Sequence, residues 1–417
     1  HHFYKMHILL LTQILPYPPD AGPRIKTWHV LRYLVEQGYQ VTLASFVRPE
    51  EEEHIPTLRK LCSSVHPVPI RRSRIADIRY WLRSHVTGRP FLIERDDSTP
   101  MREVVRKVLA EGVDVIHADQ LMMTQFALDA QRLQSPSPKP PALVYDAHNA
   151  VWMLVERMGE AVPWFLRPVV ALEARRIKRY EGAIIRQFDH MLAVTGPDRQ
   201  ALVEAARFHR NDTKSDTYPI SVVPIAVDTA VLKPTLRHPG STNILTLGTL
   251  HYPPNADGIR WFANEIFPLV RERVPDVTLT IVGKKPPKDI VQLGQDYPKT
   301  IEVTGYVPDL DPYMEQAAIM VVPVRAGGGM RVRILGAFAR AMPVVTTSVG
   351  LEGIEARPGE DILVADTASD FAADVTRLLG DAKLQNCLAK NGRQLAETHY
   401  DWQVVLKRMN AVYANLK

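Results

Sequence analysis

The chain has 417 residues, of which 46% are hydrophobic and 23% charged, and its net charge of +5 corresponds to a pI near 9.0. This length accommodates two domains with large cores, and the mild basic excess favours anionic partners but not nucleic acid. The two distant cysteines, Cys62 and Cys387, predict neither a zinc site nor a disulfide. No apolar run approaches about 18 residues, so we expect a cytoplasmic protein without a transmembrane helix. Residues 1–5 (HHFYK) resemble a tag remnant and are set aside.

The N-terminal half opens with the pattern of a doubly wound α/β fold. Residues 6–12 form an apolar run typical of a buried parallel strand, and a proline-rich loop follows as far as Arg24. A helix is predicted from Gly22 to a glycine cap at Gly38, followed by a strand over 39–46. The dinucleotide fingerprint Gly-x-Gly-x-x-Gly is absent, which argues against a dehydrogenase.

Two basic amphipathic stretches lie in the same half. Residues 71–89 and 171–186 interleave arginines with apolar residues at helical spacing. Such helices either lie on an anionic membrane or are surface helices with solvated arginines, and both interpretations stay open. Peripheral contact with the inner face of an anionic membrane is therefore one hypothesis.

Polar residues follow two further predicted strands, over 113–118 and 142–147. The second strand runs into Asp146-Ala147-His148-Asn149. Because open α/β sheets bind ligands at the carboxyl ends of their strands, His148 is a candidate donor to a sugar hydroxyl or a phosphate. The alternative is that His148 caps the next helix, and His117 is a weaker second candidate. Later strands are predicted over 189–194 and 220–224.

A polar, turn-rich linker over 232–242 leads to a second α/β array. Its predicted strands cover 244–247, 278–282, 301–304, 319–322, 344–347 and 362–365. The most informative stretch is Gly327-Gly328-Gly329, which precedes a helix starting near Arg331. Free amides, the helix dipole and the Arg331 guanidinium predict an anion site there, whereas the alternative is a tight turn without a ligand.

Three further features of this half are predicted from local pattern. Asn255 is expected to be a helix N-cap, and residues 402–416 form an amphipathic helix. Asp309-Leu310-Asp311 matches a metal-binding pattern, but we interpret its acids as the opening of a helix, where they suit the dipole.

The glycine loop with its helix, the Asp-Ala-His-Asn run and the paired α/β layout together resemble the retaining glycosyltransferases of family 4, also called glycosyl transferases group 1. The resemblance covers nearly the whole chain from Met6. It implies the GT-B fold, in which two Rossmann-like domains face each other across a cleft. Implied boundaries are an acceptor-side domain over 6–231, the linker, a nucleotide-sugar donor domain over 243–398, and a final helix over 399–417 that crosses back to the first domain.

The resemblance also implies an activity and its residues. The activity is transfer of a sugar, with retention, from a nucleotide sugar to a hydroxyl of a glycan, a lipid-linked sugar or a small molecule, as in polysaccharide biosynthesis. It implies no metal and no other cofactor. His148 would orient the donor, and Asn149 and Arg24 would lie on the acceptor side. The implied donor-binding residues are Gly22, Lys284, Tyr306, Gly327, Gly328, Gly329, Met330, Arg331, Gly336 and Glu352.

The sequence departs from the family pattern at its carboxylates. The family usually has two glutamates separated by seven residues, and the corresponding positions here are Gly328 and Gly336. The loop after Gly248 also lacks the usual arginine and lysine. Glu352 or Glu355 is a candidate replacement for the ribose-binding carboxylate. Two rival functions follow: a non-catalytic sugar- or nucleotide-binding protein of the same fold, and a nucleotide-sugar epimerase.

Overall fold

A computed structural model describes residues 5–132, 139–160, 162–210 and 217–416. The tag remnant predicted at the N-terminus therefore lies, apart from Lys5, outside the described residues. The chain forms two compact units. The N-terminal unit consists of His1–Ile225 with Val405–Lys417, and the C-terminal unit is Ala226–Val404. Both are α/β structures, as the sequence predicts.

The N-terminal unit contains a sheet of seven parallel strands in the order β3-β2-β1-β4-β5-β6-β7. Helices cover the sheet, so the central strands β1 and β4 are buried along their whole length, polar residues included. The strands are β1 (His7–Thr12), β2 (Gln40–Val47), β3 (Ser64–Pro69), β4 (Val115–Asp119), β5 (Ala142–Ala147), β6 (His190–Ala193) and β7 (Ile220–Val222).

The helices of the N-terminal unit include the two basic stretches, which form α3 and α8. Chain order gives α1 (Gly22–Glu36), α2 (Ile55–Leu61), α3 (Arg74–Thr87), α4 (Phe91–Arg95), α5 (Thr99–Ala110), α6 (Thr124–Arg132), α7 (Val151–Glu160), α8 (Arg167–Gln187) and α9 (Gly196–Arg210). Helix α1 begins at the predicted glycine, and Gly38 follows it with a positive φ of 82°.

The C-terminal unit contains a second parallel sheet, of six strands in the order β10-β9-β8-β11-β12-β13. Its strands are β8 (Asn243–Leu247), β9 (Thr278–Val282), β10 (Ile301–Gly305), β11 (Ala317–Val322), β12 (Val344–Thr346) and β13 (Leu363–Val364). Its helices are α10 (Pro253–Trp261), α11 (Phe267–Arg273), α12 (Lys288–Asp296), α13 (Asp311–Gln316), α14 (Val332–Ala339), α15 (Ser348–Leu351), α16 (Ala368–Gly380) and α17 (Ala382–Leu395).

The end of the chain returns to the N-terminal unit. The segment predicted as one helix is divided into α18 (Trp402–Val405) and α19 (Arg408–Ala414). Tyr33 donates to Asn410 at 2.9 Å, and the rings of Tyr39 and Tyr413 stack at 5.7 Å. These contacts make α19 part of the N-terminal core.

Candidate functional site

The carboxyl ends of β1, β4 and β5 bring three polar residues side by side in the N-terminal unit. Thr12 is in register with Asp119, and Asp119 with Asp146. All three side chains are buried. The strand order reverses between β1 and β4, which is where open α/β sheets bind ligands.

His148 is held next to these strand ends by a carboxylate. Its Nε2 lies 2.7 Å from Asp119 Oδ1, while the Thr27 hydroxyl donates to Asp119 Oδ2 at 3.0 Å. His148 is only 8% exposed, and no described residue is hydrogen-bonded to its buried Nδ1. Since buried polar atoms normally have partners, Nδ1 is the atom of His148 whose hydrogen bond is left for a ligand oxygen.

A second buried network lies beneath His148. Lys26 forms an ion pair with Asp146, and His117 lies 3.3 Å from the same carboxylate through Nε2 and 2.5 Å from the Tyr413 hydroxyl through Nδ1. Burial alone would raise the pKa of Asp146, but Lys26 and His117 hold it below its usual range. His117 thus supports the network and is enclosed by protein.

The two networks together contain the one group of three potential metal ligands found among the described residues: His117, Asp119 and Asp146. The Lys26 ammonium already pairs with Asp146 there. A metal ion would therefore have to displace a built-in positive charge.

The loop that carries His148 and half-buried Asn149 is fixed by two carboxylates. Asp198 accepts from the backbone of Ala150 at 3.2 Å, and Glu181 accepts from the first N–H groups of α7 at 3.3 and 3.4 Å. Glu181 also accepts from Tyr145 at 2.9 Å, and burial raises the pKa of Glu181 to about 7. Glu181 therefore caps α7, and His148 does not.

The predicted residues on the opening loop are placed as follows. Gly22 is the first residue of α1, five residues before Thr27, which contacts Asp119. Arg24 pairs with Asp20 at 3.1 Å and with Glu51. The Arg24 charge is thus largely balanced by two carboxylates of the protein itself.

In the C-terminal unit, the glycine loop joins β11 to α14 at the point where the strand order reverses between β8 and β11. Gly327 and Gly329 have positive φ values of 102° and 84°, which residues with a side chain rarely adopt. The loop after β8 also approaches α14 closely, because a Cβ at Gly248 would lie 3.1 Å from Arg333 Nη1. These glycines let backbone surround the amino end of α14.

Arg331 lies at the start of α14, where the sequence places it, and its side chain contacts the glycine loop. It is the residue before α14, and its Nη1 donates to the carbonyl oxygens of Gly328 and Gly329, both at 2.6 Å. The guanidinium therefore braces the glycine loop. Met330, beside it, is buried.

Arg333 is the basic residue that sequence reasoning missed. Its Nη2 donates to Asn255 at 3.0 Å, but its buried Nε has no partner among the described residues, and none of their carboxylates forms an ion pair with it. Burial and the charge of Arg331 lower the pKa of Arg333 to about 9. A half-buried guanidinium whose buried Nε has no partner favours binding of an anion. The sequence signal that could have identified Arg333 is a charged residue within the otherwise apolar sequence of α14.

Asn255 also differs from its prediction. Helix α10 begins at Pro253, so Asn255 lies inside the first turn and the N-cap assignment was wrong. Its side chain instead accepts from Arg333 and donates to the Thr249 carbonyl at 3.1 Å. Asn255 thus orients the Arg333 fork from the first turn of α10, directly after the loop in which the usual arginine and lysine are missing.

The remaining predicted donor residues lie on neighbouring loops. The Lys284 ammonium lies over the exposed Tyr306 ring, 4.7 Å from its centroid. Gly336 lies in α14, and a Cβ there would meet nothing within 4 Å. Glu352 is half-buried directly after α15, while Glu355 is exposed.

Asp309 and Asp311 form a local turn. Asp309 Oδ1 accepts from the backbone of Asp311 at 3.0 Å, and α13 begins at Asp311. This agrees with the interpretation that these acids open a helix.

The two parallel-sheet units define the GT-B fold, and comparisons with solved structures agree. The chain is similar to sucrose-phosphate synthase from Thermosynechococcus elongatus, at 18% identity and a TM-score of 0.69 over 99% of both chains. It is also similar to HepE of Anabaena in complex with UDP, at 13% identity and a TM-score of 0.67, over 98% of this chain and 100% of that chain. TarM of S. aureus is similar at 10% identity and a TM-score of 0.66, over 99% of both chains.

The sequence comparisons concern part of the chain. Residues 241–381 match the family model of glycosyl transferases group 1. An uncharacterized 44.6 kDa protein in the cps region of Klebsiella pneumoniae is 26% identical over 165 residues, which are 38% of this chain. That match spans 42% of the Klebsiella protein's length. The matched family region includes the glycine loop, Arg333 and Gly336.

Proposed function

We propose that this protein is a retaining glycosyltransferase that moves a sugar from a nucleoside-diphosphate sugar to a hydroxyl acceptor. The observation that carries the proposal is the half-buried Arg333 side chain, beside the glycine loop where the strand order reverses. Its buried Nε has no hydrogen-bond partner among the described residues, and none of their carboxylates forms an ion pair with it. It lies within the region that matches glycosyl transferases group 1. A diphosphate supplies the anion that this site lacks.

The diphosphate is also the leaving group of the proposed reaction. Breaking the bond between sugar and phosphate leaves additional negative charge on the phosphate oxygens. The loop amides and Arg333 are donors fixed before the reaction, so they stabilise that charge without reorganising. We propose that this electrostatic stabilisation replaces a metal ion, and that transfer therefore persists in a chelator.

The N-terminal unit contributes His148 in this proposal. With Nε2 held by Asp119, the ring presents Nδ1 to a ligand oxygen, either as an acceptor when neutral or as a donor when protonated. Contact with a sugar hydroxyl or a phosphate oxygen would orient the donor. Asn149 follows on the same loop and is assigned to the acceptor side.

The relatives favour UDP as the nucleotide. HepE is described with UDP-glucose and TarM with UDP, and the Klebsiella protein is encoded in a cps region. We therefore propose a UDP-sugar donor and a glycan or lipid-linked acceptor in polysaccharide biosynthesis.

Calorimetric titration with UDP, GDP and ADP tests the donor site, with Arg333→Gln as the variant. A charged hydrogen bond contributes roughly 1.5–3 kcal/mol, so UDP affinity should fall about tenfold or more. Arg325→Gln is the matched control, because Arg325 lies at the other end of the same loop but is exposed and paired with Asp257 at 2.8 Å. If the unsubstituted chain binds none of the three nucleotides, the transferase proposal is refuted.

One observation favours a second candidate, a non-catalytic binding protein. Glycines occupy both positions at which the family usually has glutamates, Gly328 and Gly336. Such a protein would bind UDP-sugar without consuming it, whereas an epimerase would convert the donor without an acceptor. Chromatography of UDP-sugar after incubation with and without a mixed glycan acceptor separates these three outcomes.

A further inference from the structure

Helix α3 is an amphipathic helix whose apolar stripe faces outward. Residues at i, i+3, i+7 and i+11 form one face of a helix, and here that face is exposed: Ile75 is 75% and Val86 is 88% exposed. A surface helix normally buries this stripe, but the buried residue of α3 is Ser84. The exposed apolar residues of the helix are Ile75, Ile78, Trp81, Leu82 and Val86.

The charged side of α3 attaches it to the domain. Arg83 pairs with the fully buried Glu94 at 2.9 Å, and Arg72, just before the helix, pairs with Asp96 at 2.6 Å. Arg83 of α3 and Arg72 before it thus attach the helix to the domain through two buried carboxylates. This arrangement is the reverse of a helix held by hydrophobic packing.

A second apolar segment lies next to α3. The backbone N–H of Phe91, which follows α3, donates to Glu173 of α8 at 2.6 Å. The turn before α8 and its first residues are exposed, and Trp164 is 79% exposed. The exposed apolar residues of this segment are Trp164, Phe165, Leu166, Val169 and Leu172. We call α3 and residues 164–172 together the apolar-basic face.

The charges around this face indicate what covers it. Arg71, Arg74 and Arg79 are exposed, and none of the described residues forms an ion pair with them. Exposed tryptophan and phenylalanine beside unpaired arginines are typical of a helix lying at a lipid–water interface. Among the described residues, no helix has both the length and the apolar composition to cross a bilayer.

We propose that the apolar-basic face docks this protein onto an anionic lipid bilayer. The apolar stripe enters the interface between headgroups and acyl chains, and the three unpaired arginines contact lipid phosphates. Arg72 and Arg83 keep their carboxylate partners and hold α3 in place during docking.

The test is flotation of the full chain with vesicles of phosphatidylcholine, with or without phosphatidylglycerol. The full chain should float with phosphatidylglycerol vesicles and remain in solution with phosphatidylcholine alone. A combined Arg71→Ser, Arg74→Ser and Arg79→Ser variant should partition about two orders of magnitude more weakly, at about fivefold per arginine. Trp81→Ser with Trp164→Ser should lower partitioning about tenfold.

Two matched controls separate the effect of the apolar-basic face from the effect of removing charge or apolar side chains elsewhere on the surface. Arg271→Ser, Arg273→Ser and Lys299→Ser remove the same charge from exposed sites of the C-terminal unit. Val231→Ser with Leu236→Ser removes two residues that are 71% and 89% exposed. Both controls should bind vesicles like the unsubstituted chain.

Three outcomes would overturn the proposal. One is failure of the unsubstituted chain to float with anionic vesicles, and another is an equal loss in test and control variants. The third is a dimer, seen by light scattering, that the tryptophan substitutions dissociate while vesicle binding is absent, because a second copy would then cover the face. Each outcome is independent of sugar transfer.

Discussion

Replacing Gly336 by glutamate should restore a ribose contact that the sequence lacks. The position lies in the middle of α14, and a Cβ there meets nothing within 4 Å, so the first atom of a side chain fits without moving a neighbour. Glycine in a helix interior costs about 1 kcal/mol relative to alanine. Gly336→Glu should therefore raise stability slightly, by roughly 0.5 kcal/mol, and not lower it.

The gain in nucleotide binding should be larger than this gain in stability. A carboxylate that accepts hydrogen bonds from ribose hydroxyls contributes roughly 1.5–3 kcal/mol. Since about 1.4 kcal/mol is a tenfold change, UDP should bind Gly336→Glu about tenfold or more tightly. Calorimetric titration of both chains with UDP, GDP and ADP measures the gain and identifies the preferred base.

Two controls make the result specific. Gly380→Glu is the same substitution at a helical glycine that also has nothing within 4 Å of its Cβ. Gly336→Gln keeps the size and removes the charge. If Gly336→Glu folds but binds UDP no better than Gly380→Glu does, then position 336 does not face the ribose and the correspondence with the family glutamate is wrong.

Two further predictions concern the loop that carries His148. The pKa of Glu181 is raised to about 7 from its usual 4.5, so the native state holds its proton more tightly than the unfolded chain. This contribution to the free energy of unfolding is complete below pH 4.5, the usual pKa of a glutamate, and is lost as the pH rises through 7. At most it amounts to about 3 kcal/mol. Glu181→Gln should flatten the fall in unfolding free energy between pH 5 and pH 8 in denaturant titrations, and an unchanged slope would contradict the assignment. Asp119→Asn should lower kcat about tenfold or more with donor KM nearly unchanged, because it misorients His148; equal changes in both would indicate lost binding instead.

Local pattern was sufficient for the strands that carry the candidate site. Apolar runs followed by polar or glycine-rich loops located β5 with His148 and β11 with the glycine loop. Strand β3 was missed because its sequence Ser-Val-His-Pro-Val-Pro contains two prolines. Prolines are compatible with a strand at the edge of a sheet, and β3 occupies an edge.

Contacts between distant residues could not be inferred in this way. Arg333 and Asn255 are 78 positions apart, and the Lys26–Asp146 pair joins residues 120 apart. Whether a charge is buried, and which group balances it, depends on which loops meet after folding. The same reason explains Asn255, whose side chain bonds to Arg333 and not to the amides of its own helix.

Helix α19 has a consequence for how the protein matures during synthesis. Tyr413 follows the whole C-terminal unit in the sequence, yet its hydroxyl contacts His117 in the middle of the first sheet. Residues after Val404 are synthesised later than the whole C-terminal unit, so the N-terminal unit cannot complete its fold before the second sheet has been made. Until then, His117 lacks its Tyr413 partner. The network that joins Lys26, His117 and Asp146 to Tyr413 is thus assembled only after both sheets have been synthesised.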